Sequence, residues 1–237
     1  MKALSEITNI IAFLIIILSP KLLYAAGAYL VDDAGVVEKK TLQIENWYSQ
    51  STTGEKILVS NPDYQILPDT EFAIQGTHNS ISSNANTLWP QLKYLWHKPT
   101  DQKNISSSLT AGVNYSSNNQ KTYGYYAYIP TTIKFNQVFD LHLYLGWQNW
   151  RHALRNNKSV DFLNYGVGTE IHLNETLSLT GELFQANGMS KIGPTKPAMQ
   201  FGSRYIANKY LILDAIYGKN INGNNQSWIT LGVTVLF

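Results

Sequence analysis

The sequence predicts an all-β chain, a transmembrane antiparallel up-and-down β-barrel of about twelve strands with both termini in the periplasm. Three observations lead there. The chain opens with an export leader, it alternates with period two from residue 40 onward, and its last strand finishes on Phe237. Composition agrees: of 237 residues only 14% are charged, while 12% are aromatic, including 15 Tyr and 6 Trp. Low charge with amphipathic aromatics suits a surface that meets lipid. The formal net charge of +2 leaves no basic field for nucleic acid. Cysteine is absent, which removes disulfides, thiol nucleophiles and Cys-based zinc sites.

Lys2 supplies the basic start of the leader, and Ile10–Leu18 is an unbroken apolar run. It suits a signal peptide and is too short for a spanning helix, which needs about 20 residues. Small residues follow at Ala25, Ala26, Gly27 and Ala28. Cleavage after Ala28 fits A-x-A, and cleavage after Gly27 fits A-x-G. The expected organisation is a signal peptide over 1–28, a short periplasmic segment over 29–39 and the barrel over 40–237. Asp32 and Asp33 in the short segment read as a solvated acidic pair, or as a grip for a cation or periplasmic partner.

The first strand, about Lys40–Ser49, turns Leu42, Ile44 and Tyr48 outward and Gln43 and Glu45 inward. Lys56–Ile66 and Lys121–Phe135 are ambiguous, because Pro62 and Pro130 interrupt them. Phe72, Ile74 and Gly76 share an outward face, as do Leu109, Ala111, Val113 and Tyr115. Val138–Trp150 alternates Leu141, Leu143 and Leu145 with Asp140, His142 and Tyr144. Phe162–Leu173 places Glu170 and His172 inward, and Thr176–Ala186 places Glu182 inward. Arg204 is inward in Ala198–Ala207, and Asp214 in Lys209–Lys219. In Ser227–Phe237, Ile229, Leu231, Val233, Val235 and Phe237 form one face. Such a terminal strand resembles the C-terminal signal of bacterial outer-membrane barrels, so the barrel-assembly machinery is an expected partner through Phe237.

Connection lengths support the count. Leu67-Pro68-Asp69, Asn136-Gln137, Asn174-Glu175 and Asn208 are short, and Lys98–Lys103 is the one longer connection on that side. Asn79–Thr87, Ser116–Gln120, Arg151–Asp161, Asn187–Pro197 and Asn220–Gln226 are longer and polar. Short turns belong to the periplasmic side of such barrels and long loops to the outside. The rival fold, a soluble β-sandwich or lipocalin-like barrel, would turn the apolar faces inward. Tyr94, Trp96, Trp147, Trp150, Tyr165, Tyr205, Tyr217 and Phe237 are placed for interfacial girdles.

The mature start, Tyr29–Tyr48, resembles the opening of the outer-membrane barrels assigned to the meta pathway of phenol degradation, also called transporters. Leu141–Gln148, Gly181–Gln185, Met199–Ile206 and Leu213–Phe237 resemble the same family. This chain carries Tyr144 where that family often has Asn. The resemblance implies a single barrel that moves small molecules, often aromatic or apolar.

The inward set holds Glu45, Glu71, Asp140, Glu170, Glu182 and Asp214 against Lys93, Lys134 and Arg204, with His142 and His172 neutral. Arg204 bridges Glu182 and Asp214 if their heights match. Paired charges can simply fill a small lumen, or they can form a ring that tunes passage; net negative charge would favour cations. His142 and His172 with Asp140 and Glu170 could hold a transition metal only at matching heights, so neither a metal nor a cofactor is expected. His78 and Ser80 resemble the His-x-Ser pair of outer-membrane lipid hydrolases. No acid follows to orient the base, so an enzyme is not expected. Arg151, His152 and Arg155 could meet anionic lipopolysaccharide. The sequence therefore favours passive passage of a small-molecule solute across the outer membrane. A closed barrel with partner-binding loops is the second reading, and a lipid hydrolase the third.

Overall fold

The computed structural model describes residues 28–80, 86–100, 104–116, 121–151, 159–185, 197–222 and 226–237. Twelve strands run in chain order: β1 Leu42–Ser51, β2 Lys56–Leu67, β3 Thr70–Asn79, β4 Asn86–His97, β5 Ile105–Ser116 and β6 Lys121–Lys134, then β7 Phe139–Arg151, β8 Ser159–His172, β9 Leu177–Gln185, β10 Ala198–Asn208, β11 Leu211–Asn220 and β12 Ser227–Leu236. Each pairs antiparallel with its neighbours, and β1 closes on β12 from Gln43↔Leu236 to Ser51↔Trp228. The Phe237 N–H donates to the Leu42 carbonyl at 2.9 Å, and the Leu42 N–H returns the bond at 3.2 Å. The closed ladder leaves no edge, the condition for crossing lipid with strands.

The alternation settles which face is inside. Leu183, Phe201 and Leu231 are more than half exposed on the outer face. Glu45, Asp63, Glu182 and Thr234 are buried on the inner one. A soluble barrel would show the reverse pattern. An outer surface this apolar is a membrane-spanning band.

Both strands left ambiguous by their prolines are true strands, and β4 carries a third proline at residue 90. Each proline pairs normally on one side, as Pro62↔Ile44, Pro90↔Ile74 and Pro130↔Tyr144. On the other side the ladder skips two rows and resumes in the same register. The missing N–H is thus confined to a local gap, without the bulge that would shift the register.

Asparagine recurs in the short turns. Asn136 Oδ1 accepts the N–H groups of Val138 and Phe139 at 2.8 and 2.9 Å, and Asn174 Oδ1 accepts those of Thr176 and Leu177 at 2.9 Å each. Asn208 Oδ1 accepts the Tyr210 N–H at 2.8 Å. Such Asx turns satisfy backbone donors that a tight reversal would leave unpaired.

Candidate functional site: a lumen occupied by the N-terminal segment

The segment ahead of β1 enters the barrel at its short-turn end and is held to the wall at successive heights. The Val37 N–H donates to Glu71 Oε2 at 2.8 Å, near the start of β3. The Ala34 N–H donates to Thr132 Oγ1 on β6 at 3.0 Å. Asp32 takes Lys93 Nζ of β4 at 3.0 Å and the Tyr128 hydroxyl of β6 at 3.2 Å. The N–H groups of Val31 and Leu30 donate to the two carboxylate oxygens of Glu182 at 3.0 and 3.1 Å. At the far end, the Arg204 guanidinium lies 5.0 Å from the centre of the Tyr29 ring.

The wall is shaped to receive it. Gly166 and Gly168 point inward from β8, and Val31 fills the space they leave. A Cβ at Gly166 would stand 2.8 Å from Val31 Cγ2, and one at Gly168 would stand 3.2 Å from Val31 Cβ. Val31, Ala34 and Val37 are buried. Residues 29–37, expected in the periplasm, therefore lie in the lumen. The reason is hydrogen-bond satisfaction: buried carboxylates need donors, and the segment's free N–H groups supply them. Asp32 is likewise no solvated acid but half of a buried ion pair. Burial pushes its carboxyl pKa up while Lys93 pulls it down. Burial also raises the Tyr29 hydroxyl pKa, against the pull of Arg204.

Beside the segment remains a cavity of about 20 Å³, bounded by Tyr29, His142, Glu170, Thr180, Glu182 and Arg204. That is room for about one water.

The inward charges expected from sequence all face the lumen, in partnerships of their own. Arg204 sits opposite Asp214, with Nε donating to Oδ1 at 2.9 Å. It does not bridge to Glu182, because Arg204 lies opposite Ser178 on β9 while Glu182 lies opposite Gln200. Gln200 donates to Glu182 at 2.6 Å. Glu45 shares two amides with Asp63: Gln43 Nε2 reaches both at 3.0 Å, and Asn61 Nδ2 reaches them at 3.2 and 3.1 Å. Asp63 was hidden by the ambiguity around Pro62. Asp140 meets His172 Nε2 at 3.2 Å, and Glu170 accepts the Ser178 hydroxyl at 2.5 Å. His142 Nδ1 lies 3.0 Å from Thr132 Oγ1, the same oxygen that accepts the Ala34 N–H. Among the described residues, no group of three or more His, Asp and Glu is arranged to hold a metal ion.

Above the segment, aromatic rings form an inward file. Trp150 packs on Trp89 at 5.9 Å, Trp89 on Tyr126 at 5.5 Å, Tyr126 on Tyr128 at 6.1 Å and Tyr128 on Tyr144 at 5.0 Å. Trp150, expected in an interfacial girdle, turns inward to begin this file near the long-loop end. The file ends on the segment itself, through the Tyr128–Asp32 bond.

His78 and Ser80 share the outer face, as expected, without forming a pair. His78 Nδ1 lies 2.7 Å from Asn86 Oδ1, and Ser80 Oγ accepts the Lys56 N–H at 3.1 Å. Residues 1–27 of the expected leader, His152, Arg155 and the side chain of Arg151 lie outside the described residues.

No curated protein matches the chain. Solved structures do match in fold. The NanC porin superposes with a TM-score of 0.62 at 10% identity, over 82% of this chain and 98% of its own. The KdgM porin in complex with disordered oligogalacturonate gives 0.61 at 10% identity, over 81% and 98%. A further KdgM porin structure gives 0.59 at 12%, over 81% and 98%. The barrel thus has the fold of outer-membrane porins. A family model matches residues 13–237, and the chain belongs to that family, described as Uncharacterised conserved protein UCP029691.

Proposed function

We propose that this barrel sits in the bacterial outer membrane as a small-molecule channel, with its own N-terminal segment as the resident gate. One observation carries the reading: a separate length of chain, residues 29–37, runs inside the lumen beside the inward aromatic rings and is bonded to the wall. The segment's holds include four backbone hydrogen bonds, the Asp32–Lys93 ion pair, the Tyr128–Asp32 hydrogen bond and Arg204 over the Tyr29 ring. Hydrogen bonds to charged groups contribute roughly 1.5–3 kcal/mol each, and one to a neutral hydroxyl about 0.5–1.5 kcal/mol. That is small against the twelve-strand ladder, so the segment can leave while the barrel stays folded.

The aromatic file supports a ring-bearing solute. Ring faces from Trp150 down to Tyr144 offer stacking and cation–π contacts to a flat, neutral or cationic molecule. This agrees with the aromatic or apolar cargo implied by the resemblance to phenol-degradation barrels. The porins of like fold support transport only through their architecture; one of them, the KdgM porin, is in complex with oligogalacturonate. Phe237 fits engagement by the barrel-assembly machinery during insertion, and the outer apolar band fits contact with lipid and lipopolysaccharide.

A reversible lock tests the gate. The Cβ position at Gly168 lies 3.2 Å from Val31 Cβ, close to disulfide reach, and the chain has no other cysteine. In V31C/G168C, solute flux into proteoliposomes stops on oxidation and returns on reduction. Equal flux in both states would contradict the gate.

A further inference from the structure

We infer that the leader is cut between Gly27 and Ala28, and that the new α-ammonium of Ala28 pairs inside the barrel with Asp214. The inference concerns maturation and stands whether or not solute passes.

The first described residues already lie deep in the lumen. Val31 and Leu30 are fixed to Glu182, and Tyr29 lies against Arg204. A Cβ built at Gly232 on β12 would be 3.7 Å from the Ala28 Cβ and 3.3 Å from Asp214 Oδ2. Ala28 and that oxygen thus flank one point. Asp214 is 4% exposed; its Oδ1 is taken by Arg204 Nε, and among the described residues neither its Oδ2 nor Arg204 Nη2 has a hydrogen-bond partner. A buried carboxylate oxygen without a donor is costly, on the order of 1–3 kcal/mol or more. An α-ammonium at Ala28 brings three donors and a positive charge to that oxygen.

The surroundings favour the charge. The ionisable groups around this point are Asp33, His142, Glu170, Glu182, Arg204 and the Tyr29 phenol, which line the neighbouring cavity, together with Asp214. Four carboxylates against one guanidinium and one imidazole leave these surroundings acidic, and an ammonium offsets part of that excess. The uncut chain cannot do this, since its amide nitrogen carries no charge. It also joins Ala28, inside a closed polar lumen, to the apolar run Ile10–Leu18. Processing is hydrolysis by a leader peptidase. The Gly27–Ala28 C–N bond breaks, water's hydroxyl passes to the Gly27 carbonyl carbon, and the freed amine takes up protons to become ammonium.

The test uses the protein purified from outer membranes. Intact mass should correspond to Ala28–Phe237; a chain starting at Tyr29, or an uncut chain, would overturn the assignment. Acylation of the α-amine, read on the N-terminal peptide at about pH 8, should be ~10-fold or more slower in the folded barrel than in unfolded protein. Equal rates would overturn the pairing. Asp214→Asn, where it folds, should bring the folded rate toward the unfolded one. Undiminished protection in that variant would also overturn it.

Discussion

Asp32 and Lys93 are 61 residues apart in sequence and meet inside the barrel at 3.0 Å. One belongs to the segment and the other to the wall, so this pair is the electrostatic latch between them. The Tyr128 hydroxyl holds the same carboxylate and ties the latch to the aromatic file.

Lys93→Met leaves the Asp32 carboxylate buried without its cation. Removing one partner of a buried ion pair costs about 3–5 kcal/mol. The segment can avoid that cost by leaving the lumen, so the variant is expected to keep a folded barrel and conduct more often. Lys93→Met/Asp32→Asn removes the stranded charge and should lie closer to the wild type. Planar-bilayer recording of both variants checks the order.

The open barrel should prefer cations. With the segment gone, the inner wall carries Glu45, Asp63, Glu71, Asp140, Glu170, Glu182 and Asp214 against Lys93, Lys134 and Arg204. Carboxylates in such excess attract cations into a narrow pore. Reversal potential across a KCl gradient, measured on barrels lacking residues 29–38, should show potassium favoured over chloride. A preference for chloride would contradict the charge assignment.

Gly218→Ala should destabilise the barrel. Gly218 lies opposite Trp228, and an added Cβ would stand 2.1–2.4 Å from indole atoms. Overpacking of this kind costs about 1–3 kcal/mol. Gly76→Ala is the control, because its Cβ would meet nothing closer than 3.8 Å. The temperature at which the folded band is lost on a heat-shift gel should fall for the first and hold for the second.

The strands were legible because one face of each is forced apolar and the other polar. Leu213 beside Asp214 and Leu183 beside Glu182 show that alternation without any structure. Heights were less legible. Whether Arg204 reaches Glu182 depends on ladder register, which the alternation leaves open by steps of two residues. The segment was not legible at all. Tyr29–Val37 has no periodicity, and its hydrogen-bond partners lie up to 152 residues away. A signal was nonetheless present: inward carboxylates outnumber inward cations, and buried carboxylates need donors from somewhere. Asp63 and Pro90 were missed for another reason, since proline reads as a strand breaker although a ladder can absorb it by leaving a gap.

Single-channel conductance of the intact mature protein, set against a form lacking residues 29–38, tests the central claim most directly. Both must first be shown to be folded by heat-shifted mobility. The account predicts brief or absent openings in the intact protein and sustained ohmic steps in the shortened one. Equal conductance in the two forms would contradict it, because the segment would then not be what closes the lumen.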